Sequence, residues 1–152
     1  MKGIRISNVD GEADFNVVNG TWSNNVANDQ IYEVKYATPV TLNGTAQSIM
    51  ERKQDNGTDY SDNAMLLPQG ATTAWDVDAD QTNTNKGTYI SVLLRITKGA
   101  DNVFPAEGTE TYGWAAVPVS FTWNKGNKYV YTLDFTNGAG RVDPVDPGSD
   151  VA

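Results

Sequence analysis

"VPVSFTWNKGNKYVYTLDF", residues 117–135, decides the fold. Val117, Val119, Phe121 and Trp123 fall on every second position, and after "NKGN" (124–127) so do Tyr129, Tyr131, Leu133 and Phe135. A period of two puts one set of side chains on one face of an extended segment, as a half-buried strand of an antiparallel sheet requires. Asn, Lys and Gly between the two runs are turn formers, so the pair reads as a hairpin with a short loop. Pro118 cannot donate to a ladder, which places its strand at an edge or a bulge.

The same period extends outward along the chain. "GIRIS" (3–7) carries Ile4 and Ile6 on one face, and "DFNVV" (14–18) alternates Phe15 and Val17. "IYEVKY" (31–36) sends Tyr32, Val34 and Tyr36 one way and Glu33 and Lys35 the other. "YISVLLRIT" (89–97) sets Ile90, Val92, Leu94 and Ile96 against Ser91, Leu93, Arg95 and Thr97. "NAMLLP" (63–68) is a short apolar run stopped by Pro68, and only "TAQSIMERKQ" (45–54) has a helical look. About seven strands separated by Gly, Asn, Asp, Thr and Pro make an all-β, antiparallel β-sandwich the expected fold. It spans residues 1–140. From 141 to 152 the composition turns to Asp, Pro, Val and Gly, an extended acidic tail or linker.

Composition narrows the function. A chain of 152 residues without cysteine buries roughly 70% of its unfolded surface and needs no disulfide. With neither cysteine nor histidine, thiolate metal sites, cysteine nucleophiles and a Ser-His-Asp triad are excluded. The net charge of −8 repels nucleic acid and anionic lipid, so neither is an expected partner. No apolar run is long enough to span a bilayer as a helix, and "MKGIRISNVDG" lacks the apolar core of a leader. No cofactor is expected, and no enzyme.

Some residues carry chemistry in pattern only. Asp76, Asp78 and Asp80 in "DVDAD" alternate like the start of a calcium loop, but Gln81 and Gly87 stand where such a loop needs Gly and Glu. A solvated turn is the competing reading. Of the four tryptophans, Trp123 is in phase with the core positions, whereas Trp75 and Trp114 lie in turn-like stretches. Those two are the candidate exposed aromatics for a sugar or protein ligand, with ordinary packing as the alternative. Nothing positions a carboxylate pair for glycoside hydrolysis. Arg141, in the linker, is accessible to a protease.

Several segments together resemble the fimbrillin family of Bacteroidetes, subunits of surface pili. They are "AAVPVSFTWNKGNKYVYTLDFTNGAG" (115–140) with its Asp-Pro-rich sequel, "AMLLPQ" (64–69), "GTYISVLLRIT" (87–97) and the opening "IRISNVDGEADFNVVNGTWS" (4–23). The resemblance implies a transthyretin-like, Greek-key sandwich, the C-terminal domain of a two-domain pilin exported as an outer-membrane lipoprotein. It further implies assembly by strand exchange with other pilin subunits, and adhesion at the cell surface. The lipid-bearing domain and an apolar donor strand after the linker are expected to lie outside this chain. Ile4 and Ile6 are the expected strand-exchange edge. The alternative is a tip adhesin, a sandwich that binds a host glycan or protein without polymerising into a shaft.

Overall fold

The computed structural model describes residues 1–26, 29–36, 38–42, 44–45, 51–53, 59–61, 65–105 and 112–134, with 51–53 and 59–61 as backbone only. The tail at 141–152, with Arg141, lies outside the described residues, as do Phe135 and most of the segment with a helical look. Among the described residues there is no helix. The strands are β1 (Gly3–Val9), β2 (Glu12–Asn16), β3 (Thr21–Val26), β4 (Gln30–Lys35), β5 (Glu51–Lys53), β6 (Asp59–Ser61), β7 (Tyr89–Leu94), β8 (Ile96–Lys98), β9 (Asp101–Phe104) and β10 (Gly113–Pro118). Every ladder between them is antiparallel, as the alternation demands. Residues 51–53 are strand, not helix.

Four strands form the main sheet in the order β10-β7-β1-β4. Its register brings apolar positions together. Ile4 faces Val34 on one side and Val92 on the other, Ile6 faces Tyr32 and Ile90, and Ala115 and Val117 face Val92 and Ile90. These positions share one face, since a strand alternates its side chains. Ile90, Val92, Leu94 and Ala115 are buried there with Val9, Phe121 and Trp123. Each large side chain so buried contributes about 1.5–3 kcal/mol.

A second layer covers that face. Gln69 and Trp123 exchange both backbone hydrogen bonds at 3.0 Å, and Thr72 N–H donates to Phe121 O at 2.9 Å. This short pairing holds Phe121 and Trp123 over the sheet, ring centroids 4.9 Å apart. Leu66, Val119 and Leu133 pack onto the same cluster. Two layers with an apolar interior make the fold a β-sandwich.

On the sheet's other face, Trp75 lies against Tyr89, with Ala116 and Val77 beside them. Asn8, a bulged residue in the left-handed region (φ 63), re-aims β1 there. Its amide donates to Gly87 O at 2.9 Å, as does that of Asn83, and ties the 76–86 loop to the sheet. The hairpins β2–β3, β5–β6 and β8–β9 are separate two-stranded sheets.

Candidate subunit interface

Strands at the margin of a sheet leave one row of backbone groups without a ladder. In the main sheet these margins are β4 and β10. Tyr36 N–H donates to Lys2 O at 2.9 Å, so in the β1–β4 register Tyr36, Val34 and Tyr32 turn their backbone groups toward β1. Ile31, Glu33 and Lys35 turn theirs outward. Val119 N–H donates to Thr88 O at 3.2 Å, which by the same alternation turns Trp114, Ala116 and Pro118 outward from β10. Pro118 presents no donor, so that end of the edge is blunted, the place the sequence assigned to it.

A further open edge comes from the segment that opened the sequence reading. The "NKGN" turn forms, with Gly126 at φ 76 and Asn127 N–H pointing to Asn124 O. Beyond it the chain does not pair back. Residues 128–133 form no ladder, and their backbone makes no hydrogen bond to a described residue. Among the described residues, side chains hold this arm. Tyr131 Oη accepts Trp123 Nε1–H at 2.8 Å and packs edge-on against Phe121, while Tyr129 Oη accepts the Asn124 N–H at 2.8 Å. That bond holds the Tyr129 phenol below its ordinary pKa. Leu133 reaches the core, whereas Val130 is 80% exposed. The alternation is therefore real, yet among the described residues the arm has no strand paired to it.

The remaining expected site residues fall elsewhere. Ile4 and Ile6 do not mark an open edge: β1 is paired on both sides, by β4 and β7, and its apolar face is packed into the core. Strong apolar alternation reports burial, and the most buried strands sit inside the sheet. Trp75 is not exposed either, at 3%. Its indole N–H donates to Asp80 O at 2.6 Å, so the acidic loop folds back over it. Trp114 is half-buried, with the Arg5 guanidinium 4.0 Å from its ring centroid.

Asp76, Asp78 and Asp80 do not converge. Asp76 accepts Ala79 N–H at 3.1 Å, and Asp80 accepts Asn85 N–H at 2.9 Å and the Thr84 hydroxyl at 3.1 Å. These bonds, the Asn85 one first, hold the Asp80 carboxyl below its ordinary pKa. Among the described residues no three potential ligands gather as a metal would need. The carboxylates shape the loop, as Asp does in turns.

The aromatic pair that sequence reading passed over is Phe15 with Trp22. They are direct cross-strand partners in β2–β3, ring centroids 4.8 Å apart and tilted by 43°. Both remain well exposed. The signal available was their placement on either side of the "NVVNG" turn.

A sandwich with marginal strands offers backbone groups on which a further strand can pair. The fimbrillin-like family matches residues 1–146, and the chain belongs to that family. Its members are structural pilus components of the cell surface, whose partners are other pilin subunits. No curated protein and no solved structure matches the chain. Among the described residues no helix is long and apolar enough to cross a membrane.

Proposed function

We propose that this chain is the C-terminal domain of a pilin from a Bacteroidetes-type bacterium, assembling by strand exchange into an outer-membrane-attached pilus that supports adhesion. The observation that carries this reading is the 128–133 arm, patterned as a strand and left without a ladder. A strand supplied by a neighbouring subunit would pair with it, main-chain hydrogen bonds giving affinity and the alternating side chains giving register. The Asp-Pro stretch at 141–152 would then act as a spacer, because proline resists collapse and keeps the chain extended.

The test uses envelope extracts of the producing organism, run heated and unheated on a denaturing gel and probed with antibody to this chain. Strand-exchanged polymers dissociate slowly, so a ladder that collapses on boiling is expected. Val130→Pro and Thr132→Pro remove a backbone donor at exposed positions and should abolish the ladder, whereas Val130→Thr should keep it. A single monomer band in every lane refutes strand exchange. A ladder that survives both prolines refutes the arm as the paired edge.

The second reading is a tip or accessory subunit that carries a ligand and does not polymerise. Its support is the open aromatic pair on β2–β3.

A further inference from the structure

We propose that the β2–β3 hairpin is a binding site for neutral glycans, built on Trp22 and Phe15. Trp75 and Trp123 are buried and Trp114 is capped by Arg5, whereas Trp22 is 37% exposed and Phe15 49% exposed. Their cross-strand contact fixes both rings on a rigid ladder. Sugar rings present a face of C–H groups that stacks on such rings, and aromatic side chains give contact area at low entropic cost.

The surroundings fit hydroxyl groups. Asn16 Oδ1 accepts the N–H groups of Val18 and Asn19, and Asn19 Oδ1 accepts both the N–H and the hydroxyl of Thr21. With the carbonyl oxygens committed to the turn, both amide –NH₂ groups remain as donors at the hairpin tip. Val17 and Val18 at the tip, 83% and 91% exposed, supply an apolar rim. The tip is anchored to the body by Lys125 Nζ, which donates to Gly20 O at 2.8 Å.

Charge selects the ligand class. From Phe15 to Asn28 no side chain ionises, in a chain of net charge −8; the charges against the hairpin are engaged, Lys125 with Gly20 O and Asp14 with the Asn24 amide. An uncharged saccharide meets no repulsion at this patch, whereas a sialylated or sulfated one faces an acidic protein. The site uses β2 and β3 alone, so it stands whether or not the chain polymerises; it supplies the ligand that the tip-subunit reading leaves unspecified.

The test is a glycan array printed with neutral, sialylated and sulfated glycans, probed with the full chain and followed by titration of the strongest neutral glycan against tryptophan fluorescence. Binding is expected among the neutral glycans only, with affinity falling at least tenfold in Trp22→Ala and partly retained in Trp22→Phe. Val130→Thr, away from the hairpin, should bind as the unsubstituted chain does. A thermal melt of each variant separates loss of binding from loss of fold. A blank array, as expected if the hairpin docks a protein instead, overturns the proposal. So does binding restricted to anionic glycans, or binding indifferent to Trp22→Ala and Phe15→Ala in folded variants.

Discussion

Gly87→Ala is a sharp test of how the 76–86 loop is fastened to the sandwich. Gly87 is buried, and a Cβ there would overlap backbone, lying 2.7 Å from Trp75 N and 3.0 Å from Ala74 C. These are main-chain atoms, so no side-chain rotation relieves the contact. Separating the strands strains two hydrogen bonds, Trp75 N–H to Thr88 O at 3.0 Å and Thr88 N–H to Thr73 O at 2.8 Å. Overpacking of a filled interior costs about 1–3 kcal/mol, and each backbone bond contributes about 1 kcal/mol. The expected loss is about 3–4 kcal/mol, a large share of the roughly 5–15 kcal/mol that holds a domain folded. In thermal terms it is a drop of about 10 °C. Urea unfolding followed by tryptophan fluorescence measures it. Gly70→Ala is the control, since a Cβ at Gly70 meets nothing within 4 Å; it should leave stability within about 1 kcal/mol, on the stabilising side. If the two variants unfold within about 1 kcal/mol of each other, the close approach at Gly87 is not what the loop depends on.

Three further outcomes follow from the same geometry. The Thr88 hydroxyl lies 2.6 Å from Val119 O and 2.8 Å from Thr72 Oγ1, so Thr88→Val should cost about 1–3 kcal/mol by leaving buried acceptors unpaired, while Thr88→Ser should keep the hydrogen bonds. Phe121→Ala should cost about 3–5 kcal/mol and, because Tyr131 packs on that ring, speed tryptic cleavage at Lys128 beyond what the stability change alone explains. The Asp80 carboxyl has its folded pKa depressed by Asn85 N–H, so its support of the loop is complete above the ordinary carboxylate pKa and is lost as pH falls through the folded value. Amide exchange at Asn85 should therefore quicken at acid pH, and Asp80→Asn should remove that dependence.

Much of the sandwich was legible because alternation is a local property. Ile4 and Ile6, Tyr32 and Val34, and Ile90 and Val92 meet in register as their spacing implies. What alternation does not report is the cover on a face. Phe15 and Val17 alternate as well as Ile4 and Ile6 do, yet remain exposed on a hairpin. Nor does it mark where a run breaks. "YISVLLRIT" reads as one strand, but β7 ends at Leu94, and Arg95 donates to Asn102 as the chain enters the β8–β9 hairpin. Trp75 was misplaced for a different reason. Its turn-rich neighbours imply an open loop, whereas the long-range bond from Asn8 to Gly87 and the packing of Trp75 on Tyr89 hold the loop back on the sheet.

The 128–133 arm shows where the reading of a single chain meets its boundary. Its sequence is among the most regular of the whole chain, and its inward residues find their places against Phe121 and Trp123. The backbone nevertheless pairs with nothing described. Within one chain the alternation seats Tyr131 and Leu133 on the core but, among the described residues, leaves the backbone groups of the arm without a ladder. The alternation becomes useful once another strand lies beside it, since pairing then fixes register and buries both inward faces together. Under the proposed strand exchange, the pattern of this arm would serve the assembled state. Pro118, which removes a donor from the outward row of β10, fits the same proposal: a molecule that pairs through one arm would benefit from closing other edges to indiscriminate partners.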